Sequence, residues 1–188
     1  GMFHGCELFN QPLNFTSTEN VESMSEMFYD CELFNQPLNF TSTENVILMD
    51  DMFHGATSFN QPLNFDTKNV TDMSSMFWGA SLFDQPLDFN TEKVTNMEYM
   101  FIECESFNQH LNFNTSKVTN MKSMFRYAIS FNQPLNFNTE NVTDMSRMFY
   151  FAKSFNQHLN FNTENVTNMG FMFENCPISE ENKCSSLS

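Results

Sequence analysis

Cysteine, histidine and a few aspartates are the side chains of this sequence with reactive or metal-binding chemistry, and their spacing decides what each can do. Four of the five cysteines, Cys6, Cys31, Cys104 and Cys176, share one column at intervals of 24 or 25 residues or multiples of them. The intervening positions of that column hold Ala56, Ala80, Ala128 and Ala152. Cysteine in such company behaves as a small apolar core residue. Two disulfides are nonetheless candidates. Cys6–Cys31 would join adjacent repeats at a Cα separation compatible with the roughly 4.4–6.8 Å of a bridge. Cys176–Cys184 would staple the C-terminal end. Cys104 has alanine on both sides and is expected as a free thiol. No CxxC and no Cys/His spacing of a zinc site occurs. His110 and His158 replace a recurring proline two repeats apart, about 10 Å and too far to share one metal. Asp66, Asp84 and Asp88 could in principle run acid–base chemistry or hold calcium. Neither an EF-hand loop nor a calcium-coil motif accompanies them, so a solvated acidic face is expected. No catalytic, cofactor-binding or metal-ligating residue is therefore assigned.

Potential for binding lies where the repeats differ. The residue after each recurring Met-Phe pair varies, and with its neighbours it supplies Tyr29, His54, Trp78, Tyr99, Arg126, Tyr127, Tyr150 and Phe151. Facing outward, these form an aromatic stripe suited to a protein or glycan ligand.

The elements that must position this stripe are read from the repeat. Phe131–Phe137 reads FNQPLNF, and near-copies begin at Phe9, Phe34, Phe59, Phe83, Phe107 and Phe155. Met-Phe recurs from Met2 to Met172, with two intervals of 25 residues and then 24 throughout. Self-similarity at this period predicts a solenoid, one coil per repeat. About seven repeats span 1–173, with a polar cap and tail over 174–188. At strand spacing the array would be roughly 35 Å long. Val118, Met121, Met124, Phe125 and Ala128 follow one another at three, three, one and three. That spacing predicts a short helical or 3-10 turn, with turns near 73–78, 97–102, 121–126 and 145–150. Asp72, Asn96, Asn120, Asp144 and Asn168 stand as their N-caps. The alternation of Leu135 and Phe137 predicts one short parallel β-strand per coil, starting at the proline. The Asn10 and Gln11 columns are expected to form amide ladders along the stack.

Phenylalanine and methionine, abundant at 24 and 15 residues, are expected to dominate the core. Aromatic rings bring large apolar areas, and thioethers fill the gaps between them. A net charge of −15 argues against nucleic acid and against an anionic membrane surface as partners. No apolar run is long enough to span a bilayer, so no membrane insertion is expected within this segment.

The pattern Ala-x-x-Phe-x-x-x-Leu-x-Phe followed by Val-x-x-Met-x-x-Met-Phe-x-x-Ala resembles BspA-like leucine-rich-repeat proteins. FNQPLN with NVTxMxxMF is more similar still to a repeat domain of mycoplasma surface proteins that has no assigned function. The resemblance spans residues 1 to about 184. It implies a right-handed, leucine-rich-repeat-like solenoid with a parallel sheet on one face. It also implies a non-enzymatic role in binding or adhesion, displayed outside the cell or on its surface, with a virion as the alternative. A structural protein that assembles with other copies of itself, as a filament or shell, is the second functional expectation.

Overall fold

Between Thr115 and Phe131 the backbone is a run of four-residue turns. Val118 N–H donates to the Thr115 carbonyl at 3.0 Å, Met124 to Met121 at 3.2 Å, Ala128 to Phe125 at 3.1 Å and Phe131 to Ala128 at 3.2 Å. Ser123 and Tyr127, each third in its turn, have φ of 53° and 57°. A positive φ at that position is the requirement of a type II turn, and no right-handed helix tolerates it. The same two left-handed columns recur along the chain, from Glu26 and Asp30 to Phe171 and Asn175. The computed structural model describes residues 1–15 and 17–183. Within them the single helix is a 3-10 turn at Glu180–Asn182, outside the repeats. The helical turns expected near 73–78, 97–102, 121–126 and 145–150 are thus absent. Successive turns also bring an apolar residue inward every third position, so their spacing is that of a helix.

The expected strands fail as well. Among the described residues there is no sheet, only seven isolated parallel bridges. Six of them run through Ser23, Leu48, Asp72, Asn96, Asn120, Asp144 and Asn168, the column expected to cap helices. One alone, Leu87 with Leu111, lies in the expected strand. The right-handed, leucine-rich-repeat-like solenoid of parallel strands and helical turns is therefore corrected to repeats of consecutive turns. Neighbouring repeats are joined by backbone bonds from alternate residues. Met121, Ser123, Phe125 and Tyr127 donate to Asp144, Ser146, Met148 and Tyr150 at 2.8–3.0 Å. The left-handed residues among them break the extended conformation that a continuous strand needs.

Around Pro134 the backbone relies on side chains instead. Proline has no N–H for a ladder. The Asn108 Oδ1 accepts the Asn132 N–H at 2.9 Å and the Gln133 Nε2 at 3.1 Å. The same pair of bonds recurs from Asn10 onto Asn35 and Gln36, through to Asn132 onto Asn156 and Gln157. A buried threonine column does similar work. Thr67, Thr91, Thr115 and Thr139 each donate Oγ1–H to a carbonyl of the next repeat at 2.9–3.0 Å. Asn182 closes the last repeat by bonding Asn156 at 2.9 Å, while its carbonyl accepts the Leu159 N–H.

The interior is a set of phenylalanine columns. All but Phe151 and Phe171 of the 24 fall into three of them. In the first, Phe101, Phe125 and Phe149 stack at 5.6 Å between centroids with planes 6° apart. In the second, Phe107, Phe131 and Phe155 stack at 5.9–6.0 Å. Within one repeat the two columns meet at 4.1–4.4 Å. Offset parallel rings suit the aromatic quadrupole, and each ring adds apolar burial on both faces.

The left-handed columns carry a testable cost. Glycine fills one of them at Gly55 and Gly79, where it is unstrained, and Glu103 fills it at φ 58° with its side chain exposed. A left-handed conformation costs an L-residue about 1–2 kcal/mol, against about 0.5–1 kcal/mol of extra entropy lost by glycine. Glu103→Gly is expected to stabilise by about 0.5–1 kcal/mol, and Glu103→Val to destabilise. Urea unfolding of the two variants reads the order directly, and a Val variant at or above wild type contradicts it.

Candidate functional site

The recurring turns place the variable residues on one edge. Each position after Met-Phe sits between two left-handed corners, so its side chain projects beside the same position of the next repeat. His4 stacks on Tyr29 at 4.5 Å, Tyr29 on His54 at 4.3 Å, and His54 on Trp78 at 4.7 Å. Trp78 meets Tyr99 at 5.5 Å with tilted planes. Further along, Tyr127, Tyr150 and Phe151 form a second cluster with centroids 4.7–5.7 Å apart. The Arg126 guanidinium lies over Tyr127 at 5.2 Å and Tyr150 at 5.5 Å, and its Nε is buried without a partner. All eight stripe residues are half-buried. Ile102, between the two groups, is buried. The stripe is thus two rows rather than one, and stacking covers most ring faces.

The cations of this edge stand on rings. Lys122 lies over Tyr99 at 5.1 Å, Arg147 over Phe171 at 5.4 Å and Lys153 over Phe151 at 4.5 Å. A side-chain hydrogen bond that Lys122 donates to Tyr99 holds its ammonium above the usual range. None of these cations, nor Arg126, has an ion pair among the described residues. The sequence reading found Arg126 but missed Lys122, Arg147 and Lys153 as parts of this edge. Their columns vary as the Tyr29 column does, and that variation was the available signal.

A family model described as a Mycoplasma protein of unknown function, DUF285, matches residues 1–111 and 87–186. The chain belongs to this family. No curated protein and no solved structure matches it. Family membership agrees with a mycoplasma-type repeat domain and assigns no chemistry to the edge.

The other candidate residues of this family member are engaged elsewhere. Asp84 takes a place in the amide ladder, its Oδ1 accepting the Asn108 N–H at 2.9 Å and the Gln109 Nε2 at 3.0 Å. Asp66 pairs with Lys68 at 3.0 Å, and hydrogen bonds from Lys68 hold its carboxyl below the usual range. Asp66 and Asp84 are thus engaged with different partners. His110 and His158 are exposed, while His54 bonds Asp51 at 2.8 Å. No helix among the described residues is long and apolar enough to cross a membrane.

Cys6 and Cys31, the candidate bridge between adjacent repeats, are both free thiols in the structure. Cys6 is exposed, whereas Cys31 turns inward and donates to the Phe3 carbonyl at 3.0 Å. Cys176 is also free, and the proposed partner Cys184 lies outside the described residues. Cys104 donates to the Phe77 carbonyl at 2.8 Å. Burial pushes the Cys31 thiol up to about 11, and the Cys104 thiol well above its ordinary value. A folded pKa above the unfolded one favours the folded state at neutral pH and loses that benefit as pH climbs from about 9 towards 11. At pH 8 a maleimide reagent is expected to label Cys6 in the native protein and to spare Cys31 and Cys104 until it unfolds. Peptide mapping checks this, and native labelling of Cys104 contradicts the buried placement.

Proposed function

We propose that this chain is a non-enzymatic binding module that engages a partner along its aromatic edge, outside the cell or on its surface. One observation carries the reading. Rings from successive repeats are stacked in advance, half-buried and oriented before any partner arrives. Preorganised aromatic and arginine side chains are the usual anchors of binding surfaces, because little entropy remains to be lost. Stacking leaves ring edges rather than ring faces for contact. Sugar recognition uses ring faces, so the edge fits a protein partner better than a glycan. The motif resemblance to BspA-like surface proteins supports display.

The test is binding of the immobilised chain to protein and glycan panels, with a Trp78→Ala/Tyr150→Ala variant beside the wild type. A protein ligand weakened at least roughly ten-fold by the variant supports the reading. Binding that ignores both substitutions, or binding confined to glycans, overturns it.

A further inference from the structure

The aromatic edge changes sign along its length. With repeats numbered by their Met-Phe pairs from Met2 to Met172, repeats two and three carry Glu26, Asp30, Asp50 and Asp51 on it. Repeats six and seven carry Lys122, Arg126, Arg147 and Lys153. The sign inverts within single columns. Asp50 and Lys122 occupy equivalent positions 72 residues apart, as do Asp51 and Arg147 at 96. Half of the eight basic residues of a chain of net charge −15 thus gather at one end of one edge. They rest on aromatic rings, with no carboxylate paired to them among the described residues. At the other end, Glu26 bonds His4 at 3.0 Å and Asp51 bonds His54, while the terminal amine donates to the Ser25 carbonyl. Asp30 and Asp50 have no ion pair among the described residues.

We infer that the partner of this edge is a second copy of the same chain, docked antiparallel about a two-fold axis between Trp78 and Tyr99. The inference rests on the reading of the edge as a binding surface. A two-fold there sets repeat two against repeat seven and repeat three against repeat six. Both acidic patches then face basic ones, and at the centre Trp78 of repeat four meets repeat five, where Glu98 and Glu103 lie on either side of Tyr99 and face no acidic residue of the Trp78 repeat's edge. Such an interface is isologous and closes at two copies. Opposite charge at its two ends fixes direction and register, since a parallel arrangement would set acid against acid. The repeats bonded at backbone distance are about 4.8 Å apart, so the acidic and basic centres lie roughly 20 Å apart, beyond a Debye length at physiological salt. The two patches of one chain therefore do not neutralise each other, and a complementary copy does. Exposed ion pairs make the association weak and salt-sensitive.

Sedimentation velocity of the whole chain over a roughly hundred-fold concentration range tests this. The expected result is a reversible dimer at low salt that weakens at least ten-fold by about 0.5 M salt. Lys122→Glu/Arg147→Glu cancels the charge of the basic end, where Arg126 and Lys153 remain, and Glu26→Lys/Asp50→Lys cancels that of the acidic end, where Asp30 and Asp51 remain. Each is expected to be a monomer, and an equimolar mixture is expected to restore the dimer. A wild-type monomer throughout, a dimer indifferent to salt, or a mixture that fails to pair while both variants unfold like wild type overturns the inference. If one variant does not fold, the wild-type salt dependence still decides. A monomer whose panel ligand is lost with Trp78→Ala/Tyr150→Ala overturns only the self-pairing, and leaves the binding edge with an acidic or other protein partner.

Discussion

Phe125→Ala is expected to lower the unfolding free energy by about 3–5 kcal/mol, seen as a fall in the urea midpoint. The ring has no exposed surface. It is packed against Phe101 and Phe149 at 5.6 Å on its two faces and Phe131 at 4.2 Å within its own repeat. The turns holding these rings are pinned by bonds to the next repeat, such as Phe125 N–H to the Met148 carbonyl at 2.9 Å. The repeats cannot close up by a ring's thickness without breaking them, so the cavity persists. A gap in the stack also weakens the coupling of the repeats on either side, because each touches only its neighbours. The unfolding transition is therefore expected to broaden as well as shift. A loss below about 1.5 kcal/mol would mean that neighbouring methionines flow into the space.

Asn132→Ala is the second large effect, about 1–3 kcal/mol. The Asn132 Oδ1 accepts the Asn156 N–H at 2.9 Å and the Gln157 Nε2 at 3.0 Å. The backbone there has no sheet to fall back on, so truncation loses both hydrogen bonds, each worth about 0.5–1.5 kcal/mol. Asn132→Asp keeps the acceptor oxygen and is expected to cost less than half as much at pH 7. The chain already makes that exchange at Asp84, which accepts the equivalent two bonds. Both neighbours of Asn132 in the column are asparagines, so no like charge opposes the carboxylate. Thermal unfolding of the pair reads the difference, and equal losses for both variants would show that the ladder contributes little.

These two predictions use features of very different legibility. The phenylalanine columns were readable, since a ring every 24 residues has to meet its equivalent once successive repeats lie side by side. The amide ladder was readable for the same reason, because Asn and Gln recur in register with backbone groups that proline cannot pair. The helical turns were misread: Met121, Met124 and Ala128 are spaced alike by a helix and by consecutive type II turns. Only the left-handed φ of Ser123 and Tyr127 separates the two, and L-residues give little sign that they will adopt it. Glycine at Gly5, Gly55 and Gly79, equivalent to Tyr127, was a visible hint. The buried threonine column was hidden in a segment of turn composition.

The sequence by itself determined the period, the register of like residues and the make-up of the interior, because a repeat forces equivalent side chains into equivalent surroundings. It also placed the variable positions in shared columns. The tertiary structure alone decided the local conformation and the assembly of the edge. Backbone N–H groups choose between a carbonyl three residues back and one a repeat away, and that competition is settled only when repeats meet. The grouping of Lys122, Arg147 and Lys153 with the aromatic rings follows from it, since the corners that aim those side chains exist only in the folded stack.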